Sequence, residues 1–431
     1  MKKKITKVDK LRGTFTPPGD KSITHRAVLI SSIANGKSTI HGYLDADDCL
    51  RTVNAMQQLG VNITKEYNKL TIYGKGLYGL KESAKEIDAG NSGTTMRLLA
   101  GIVAGQNFST TITGDASLSQ RPMDRIIKPL QMMGANVTGR DNKYPPLKIE
   151  GKRPLTAIQW ENKIKSAQVK SCVLLAGLYA NGHTEIIEEV PSRDHTERML
   201  SYYGAEITVN NNSIKIYPEK TKLEGHEIYI PGDISSAAFF IAAAALVPNS
   251  EIIIENVGLN PTRIGFIKVL KSMCDKPENI EIIPSEDKNN EPVGKIVIRH
   301  TKLKPINIGH EIIPQVIDEL PLIALLATQA EGITTISGAQ ELRVKESDRI
   351  KTTVENLSIL GAKVEEKHDG MVIFGPARLK GAEVNSYSDH RICMMLAIAG
   401  LIAEGNTTIE GAECVNISFP EFWQLLEKLT S

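Results

Sequence analysis

Residues 28–40 read VLISSIANGKSTI: a run of small and aliphatic residues, a turn at Gly36, then a short β-branched strand. The pattern returns as LLAGIVAGQNFSTTI (98–112), LLAGLYANGHTEII (174–187), FIAAAALVPNSEIII (240–254), IALLATQAEGITTI (323–336) and MLAIAGLIAEGNTTI (395–409). The turns lie near Gly36, Gly105, Gly182, Pro248, Gly332 and Gly405, about 70 residues apart. A second element keeps step with the first, an amphipathic helix stopped by glycine: MQQLGVNI (56–63), LQMMGANV (130–137), LSYYGAEI (200–207) and LSILGAKV (357–364). Degenerate copies stand at KVLKSMCDK (268–276) and FWQLLEKL (422–429). Self-similarity of this kind specifies a repeat architecture. No single copy can bury its apolar face alone, so the copies must stack on one another.

A chain of 431 residues exceeds one ordinary core and predicts two domains. Three copies precede residue 230 and three follow it. The joints Pro17-Pro18-Gly19-Asp20 and Ile230-Pro231-Gly232-Asp233 are rich in Pro and Gly, which suits hinges near 17–21 and 230–234. The last copy ends at Ser431 without closing strands, and the opening ITKVDKLRGTFT (5–16) can supply the missing one. The expected division is therefore a discontinuous domain, 1–18 with 232–431, and an inserted domain, 19–231.

Composition narrows the function. With 41% hydrophobic and 23% charged residues, the chain reads as soluble and globular. A net charge of +1 and 5% aromatics leave neither the basic excess nor the stacking platforms of a nucleic-acid binder. Cys49, Cys172, Cys274, Cys393 and Cys414 lack the close pairing of zinc or redox motifs and read as reduced structural thiols. The opening MKKKITKVDK is basic but has no apolar stretch behind it, so it does not read as a secretory signal. The longest apolar run, AAFFIAAAALV (237–247), falls short of the ~20 residues that span a bilayer and reads as a buried helix. A cytoplasmic enzyme is the expectation.

Each small-residue helix starts from a polar loop: GDKSITHR (19–26), NSGTTMR (91–97), KSAQVKS (165–171), GDISSA (232–237), IDELP (317–321) and YSDHR (387–391). Capping alone explains any one of these. If the repeats pack in parallel, however, three helix starts converge per domain, and their partial positive ends favour anions. Further polar sites are Gln120-Arg121-Pro122, Ser192-Arg193-Asp194-His195 and residues 343–349, RVKESDR. Arg and Lys at several helix starts imply a ligand with more than one anionic group. Asp318 and Glu346 are the carboxylates available for proton transfer among them. The spacing leaves two other roles open: Glu346 can pair with Lys345 or Arg349, and Asp318 can cap PLIALLATQ. Two apparent motifs fail. Asn35-Gly36-Lys37-Ser38 follows a helix rather than preceding one and lacks the first P-loop glycine. Asp45-Ala46-Asp47-Asp48 lacks the Gly and distant Glu of a metal loop and reads as a helix cap.

Taken in order, GDKSITHRA, NSGTTMRLLAG, SQRPMDRI, RVKESDRI and SDHRICM resemble the EPSP synthase (3-phosphoshikimate 1-carboxyvinyltransferase) family over essentially the whole chain. SRDHTE, SAQVK and NPTR resemble its class II branch, which contains glyphosate-tolerant enzymes. The resemblance implies an α/β fold: a two-domain inside-out α/β barrel (the enolpyruvyl transferase fold), with three βαβαββ units per domain in pseudo-threefold symmetry, closing over substrates at the hinge. The implied reaction moves the enolpyruvyl group of phosphoenolpyruvate to the 5-hydroxyl of shikimate 3-phosphate by addition and elimination, without metal or organic cofactor. By motif, Asp318 acts on the 5-hydroxyl, Glu346 on the methylene carbon, and Lys21 assists both as an acid and as a phosphate contact. Phosphoenolpyruvate is implied to contact Lys21, Gly93, Arg121, Gln168, Lys345, Arg349 and Arg391. Shikimate 3-phosphate is implied to contact Lys21, Ser22, Arg26, Ser166, Ala167, Gln168, Arg193, Asp318 and Lys345.

This chain departs from the better-known branch at Ala167 (there Ser, with Arg193 a substitute contact), Glu341 (there Asn) and Ile417 (there Lys), and it keeps Gly93, where some tolerant enzymes carry Ala. The sister transferase acting on a UDP-sugar, UDP-N-acetylglucosamine enolpyruvyl transferase, typically has a reactive loop Cys, and residues 114–120 (GDASLSQ) contain none. A non-catalytic sensor of phosphorylated metabolites would not need both Asp318 and Glu346. Small-molecule substrates, no nucleic acid, no membrane and a monomeric state complete the expectation.

Overall fold

The computed structural model describes residues 1–164 and 166–431; Lys165 lies outside the described residues. The six small-residue runs form helices Lys21–Ile33, Gly93–Ala104, Ala167–Gly177, Ile234–Leu246, Leu320–Ala327 and His390–Gly400. Past their first residues they are buried on every side, which is why they carry Ala, Gly, Ser and Cys rather than one apolar stripe. The second helix of each repeat (Asp47–Gln58, Asp124–Met132, His195–Tyr202, Gly265–Met273, Arg349–Ile359, Phe422–Thr430) buries one face only.

The glycine stops have a common geometry. Gly60, Gly134, Gly204 and Gly361 have φ between 88° and 95°. The amide of the residue after each reaches back five positions: Val61 to Met56, Ala135 to Leu130, Ala205 to Leu200 and Ala362 to Leu357. These are Schellman closures, which need a residue that enters the left-handed region without strain. The degenerate fourth copy has Cys274 there in extended conformation, and no such closure forms.

Each repeat also builds a small sheet on its post-helix strand. Lys37–His41, Ser109–Thr113, Thr184–Ile187, Glu251–Gly258 and Gly332–Ile336 each pair antiparallel with one arm of a hairpin. On the other side lies a short parallel strand, as a β–helix–β crossover requires. In the second, third and fifth repeats the strand just before the helix supplies it: Ile87–Asp88, Gln159–Glu161 and Asn307–Ile308. At the two joints the strands are exchanged. Arg12–Phe15, which leads toward the first helix, pairs with Glu251–Gly258 of the fourth repeat. Glu227–Tyr229, which leads toward the fourth helix, pairs with Lys37–His41 of the first.

The sixth sheet corrects one expectation. Its antiparallel neighbour is Lys2–Thr6 on Asn406–Glu410, with Glu383–Asn385 on the other side. Only the first two residues of the 5–16 segment serve it; Arg12–Phe15 goes to the fourth repeat instead.

The chain divides into two compact units. One comprises residues 1–18, 231–286 and 292–431; the other, the inserted unit, comprises 19–230 and the short segment 287–291. Each has its own continuous apolar core. The excursion at 287–291 has no counterpart in the repeat pattern. It is anchored by Glu291 Oε1, 2.6 Å from His195 Nδ1, and by the Asn290 carbonyl, which accepts from Arg198 Nη1 at 2.8 Å. No helix is long and apolar enough to cross a membrane among the described residues.

In the inserted unit, hydroxyls join the starts of neighbouring helices. His25 Nδ1 lies 2.6 Å from Thr52 Oγ1, which lies 2.7 Å from Thr95 Oγ1, which donates to Ser92 Oγ at 2.8 Å. Burial first, then the charges of Lys21 and Arg26, push the His25 imidazole well below its ordinary value of 6.5. The unfolded chain therefore takes up a proton near pH 6.5 that the folded chain refuses. Stability is full above that pH and falls as acid is added, by up to about 1.4 kcal/mol per pH unit. In a Trp423→Phe background, Trp160 fluorescence follows the inserted unit, and its urea midpoint should fall between about pH 7 and 5. His25→Asn should flatten that decline; parallel profiles would exclude His25 as its source.

Candidate active site

In the inserted unit the polar groups gather at the helix starts. Lys21, the first residue of its helix, reaches Asp48 with Nζ–Oδ2 2.9 Å. Arg26, one turn further on, is 3% exposed. Its three nitrogens donate to neutral oxygens: the Ser22 carbonyl at 2.9 Å, Thr196 Oγ1 at 2.7 Å and Ser171 Oγ at 2.7 Å. Burial lowers its pKa to about 10, against the opposing pull of Glu197 and Asp20, and nearby Arg193 lowers it further. The guanidinium is thus charged at neutral pH and held without a direct carboxylate bond, a favourable state for an anion to meet.

The second helix start adds two more guanidinium groups. Arg121 donates to the Asn91 carbonyl at 3.2 Å, Asn91 Oδ1 at 2.6 Å and Ser117 Oγ at 3.1 Å. Arg97 donates to Gln168 Oε1 at 2.5 Å, and Gln168 Nε2 donates to Thr94 Oγ1 at 2.9 Å. A Cβ at Gly93 would stand 3.1 Å from Arg97 Nη1 and 3.5 Å from Arg121 Nη1. The missing side chain therefore leaves this helix start open toward both cations. At the third helix, Ser166 occupies the cap position but its side chain makes no capping bond, unlike Asp20 and Ser92. Ala167 follows as the first helical residue. Arg193 is half-buried beside Arg26.

The other unit gathers its groups around Arg349, which is 1% exposed. Asp389 takes it in two bonds, Nε–Oδ2 2.7 Å and Nη2–Oδ1 3.1 Å. Glu346 Oε2 lies 2.5 Å from Nη2 and Asp318 Oδ1 3.4 Å from Nη1. Burial alone would lower this guanidinium's pKa, but Asp389, Glu346 and Asp318 hold it above the ordinary value. Burial likewise opposes ionisation of Asp389, yet Arg349 keeps its carboxyl below the usual range. At the rim, Lys345 Nζ is 4.0 Å from Asp318 Oδ1. Arg391 donates from Nη1 to the Asp318 carbonyl at 3.3 Å and to Glu319 Oε1 at 3.4 Å. Glu319 accepts a short bond from Ser235, which accepts in turn from Arg263 Nη2 at 2.8 Å. The starts of all three buried helices of this unit thus meet through Ser235, Glu319 and Arg391.

The two sets differ in charge. Lys345, Arg349 and Arg391 face Asp318, Glu319, Glu346 and Asp389, so the cations of this unit are matched by its own carboxylates. In the inserted unit Arg26 bonds to two hydroxyls and a carbonyl instead.

Several expectations change. Asp318 does not cap the helix Leu320–Ala327; Glu319 holds the cap position, without a side-chain capping bond. The pairing of Glu346 with Arg349, left open by spacing, is present. The acidic run 45–48 is no helix cap: Asp48 pairs with Lys21, Asp45 pairs with Lys65 at 2.7 Å, and Ala46 stands at the cap. Ile417 is half-buried and packs on the apolar core of its unit. Sequence reasoning gave Asp48 only a capping role and gave none to Arg97, Glu319 or Asp389; these are the partners that hold Lys21, Gln168, Arg391 and Arg349. Their signal was present, since each lies within or beside a motif already quoted. It also passed over Lys170, a charged residue in an otherwise small and apolar buried helix.

The family model for EPSP synthase (3-phosphoshikimate 1-carboxyvinyltransferase) matches residues 5–426. The 3-phosphoshikimate 1-carboxyvinyltransferase of Thermodesulfovibrio yellowstonii is 54% identical over 432 residues, covering 100% of both chains. That of Bacillus thuringiensis is 50% identical over 421 residues, covering 97% of each. The solved EPSP synthase of Acinetobacter baumannii superposes with a TM-score of 0.87 at 41% identity, over 99% of this chain and 98% of that one. The enolpyruvyl transferase NikO of Streptomyces tendae, at 16% identity and a TM-score of 0.78 over 99% of this chain and 96% of its own, shares the fold. With its motifs in order, its repeats matched throughout and relatives at half identity over full length, this chain belongs to the EPSP synthase family.

Proposed function

We infer that the chain transfers the enolpyruvyl group of phosphoenolpyruvate to the 5-hydroxyl of shikimate 3-phosphate, releasing phosphate, in the shikimate route to chorismate and the aromatic amino acids. Family membership over the whole chain carries this reading. The enolpyruvyl transferase NikO shares the fold at 16% identity and says nothing of substrate.

We propose the following division of roles. Asp318 takes the proton of the 5-hydroxyl as its oxygen bonds to the central carbon of phosphoenolpyruvate. Glu346 delivers a proton to the methylene carbon, giving a tetrahedral intermediate. Elimination reverses the second transfer: Glu346 removes a methyl proton, the carbon–oxygen bond to phosphate breaks, and phosphate leaves. Lys21 donates to the departing phosphate oxygen. The observation that supports these assignments is the grouping of Asp318 and Glu346 on one buried guanidinium, with Lys345 and Arg391 at the rim. Binding alone does not require two carboxylates among cations. Proton transfer does.

Phosphoenolpyruvate contacts are proposed at Lys21, Gly93, Arg121 and Gln168 in the inserted unit, and at Lys345, Arg349 and Arg391 in the other. Shikimate 3-phosphate contacts are proposed at Lys21, Ser22, Arg26, Ser166, Ala167, Gln168 and Arg193, with Asp318 and Lys345. Cations fixed before the substrate arrives stabilise developing charge without reorganisation, commonly the largest catalytic contribution. We read the protein as a cytoplasmic monomer, a reading supported by five buried free cysteines and by repeats that complete their sheets within one chain.

The defining assay is phosphate release from phosphoenolpyruvate only when shikimate 3-phosphate is present; release that requires a UDP-sugar instead, or binding without turnover, would overturn the assignment. Asp318→Asn keeps the hydrogen-bonding shape and removes the base, so kcat should fall by roughly 2–4 orders of magnitude with KM little changed. A pure rise in KM would count against proton transfer by Asp318. Arg193→Ala should raise KM for shikimate 3-phosphate more than for phosphoenolpyruvate, and equal shifts would remove it from the sugar-acid phosphate site.

A further inference from the structure

Beneath the proposed shikimate 3-phosphate contacts lies a charged cluster that no catalytic step uses. Glu188 and Lys170 are each 2% exposed. Each carboxylate oxygen of Glu188 accepts two bonds. Oε2 takes Lys170 Nζ at 2.9 Å and the Ser192 amide at 3.0 Å. Oε1 takes Ser192 Oγ at 2.7 Å and Asn162 Nδ2 at 2.7 Å. Lys170 Nζ also donates to the Ser192 carbonyl at 3.2 Å and lies 2.7 Å from Glu197 Oε1. Ser192 is therefore gripped at its amide, hydroxyl and carbonyl, immediately before Arg193. Asn162 Nδ2 donates as well to the Ser166 carbonyl at 3.1 Å. One anchor thus fixes both loops that carry the proposed phosphate contacts.

Stability alone is a poor account of this arrangement. Lys170 sits in the helix Ala167–Gly177 between buried Val169 and Ser171. A well-packed apolar residue at such a position is often as stabilising as a buried ion pair or more so. What charges add there is directional bonding, which sets loop geometry. Burial would lower the Lys170 amine, but Glu197 and Glu188 hold it above its ordinary value, so the ammonium keeps its three donors.

We propose that Glu188, braced by Lys170, is a positioning residue for shikimate 3-phosphate: it fixes the backbone at Ser192 and, through Asn162, at Ser166, so that Arg193 and the Ser166 hydroxyl are spaced for the phosphate before it binds. The proposal rests on the functional reading above and adds the device that sets affinity for one of the two substrates. Preorganisation of this kind lowers the ordering that binding must otherwise accomplish.

The test is steady-state phosphate release with each substrate varied at saturation of the other, alongside calorimetric binding of shikimate 3-phosphate alone. Glu188→Gln keeps the shape but removes the charge and one acceptor oxygen. KM and Kd for shikimate 3-phosphate should rise roughly 10–100-fold, as for outer partners that orient direct ligands, with kcat and KM for phosphoenolpyruvate within about threefold of wild type. Glu188→Asp, which retains the charge, should recover part of the loss. Ser192→Ala leaves the ion pair intact and should raise the same KM a few-fold, so it carries the test if Glu188→Gln does not fold. Unchanged affinity for shikimate 3-phosphate in the folded variants, or equal losses for both substrates, would overturn the proposal. Wild-type protein that releases no phosphate would fail at the earlier step and take this inference with it, whereas an active wild type with unresponsive variants sinks this inference alone.

Discussion

Six helices buried on every side impose the constraint from which the rest of the molecule follows. A helix with no solvent face can place charge only at its ends, where unpaired amide groups need partners anyway. The starts of these helices are accordingly where Lys21, Arg26, Arg97, Gln168 and Arg391 stand. The small residues that make such close packing possible also bring three starts together within each unit, joined through Arg97–Gln168 and Arg26–Ser171 in one and through Ser235–Glu319–Arg391 in the other. Core packing and the polar site are two ends of the same helices.

The units use that geometry differently. In the inserted unit, Arg26 is oriented by the neutral oxygens of Ser22, Thr196 and Ser171, so its charge remains available to anions. In the other, Arg349 is surrounded by Asp389, Glu346 and Asp318, and its work is to hold carboxylates in a buried setting. A buried guanidinium so placed is expensive to desolvate and is tolerated only where good hydrogen bonds compensate. The bidentate Asp389 supplies them, which leaves Glu346 and Asp318 as the members nearer solvent.

The exchanged strands at the joints follow from the same repeat logic. Every post-helix strand needs a parallel neighbour, and the joint segments Arg12–Phe15 and Glu227–Tyr229 satisfy that need in the fourth and first sheets. In the sixth sheet Glu383–Asn385 is the parallel neighbour, and the opening strand Lys2–Thr6 takes the antiparallel place that a hairpin arm fills elsewhere.

Repeat count, helix type and glycine stops were legible in the sequence because they are local: they depend on residue size, 3.6-residue periodicity and the left-handed freedom of glycine at positions such as Gly60 and Gly361. The motifs at the helix starts were legible for the same reason, each being a short contiguous run. The partners of those motifs were not. Asp48 beside Lys21, Asp389 beside Arg349, Glu319 beside Arg391 and Glu188 beneath Arg193 are 18 to 72 residues from at least one group they hold, and distance along a chain carries no record of which charges will meet. Nor could spacing foresee that Arg12–Phe15 would leave the sixth repeat for the fourth, or that residues 287–291 would join the inserted unit. By itself the sequence determined which segments are helices, strands and stops, and where polar chemistry could reside. Tertiary structure alone decided which carboxylate faces which cation, because burial makes that choice only once separate repeats have been brought into contact.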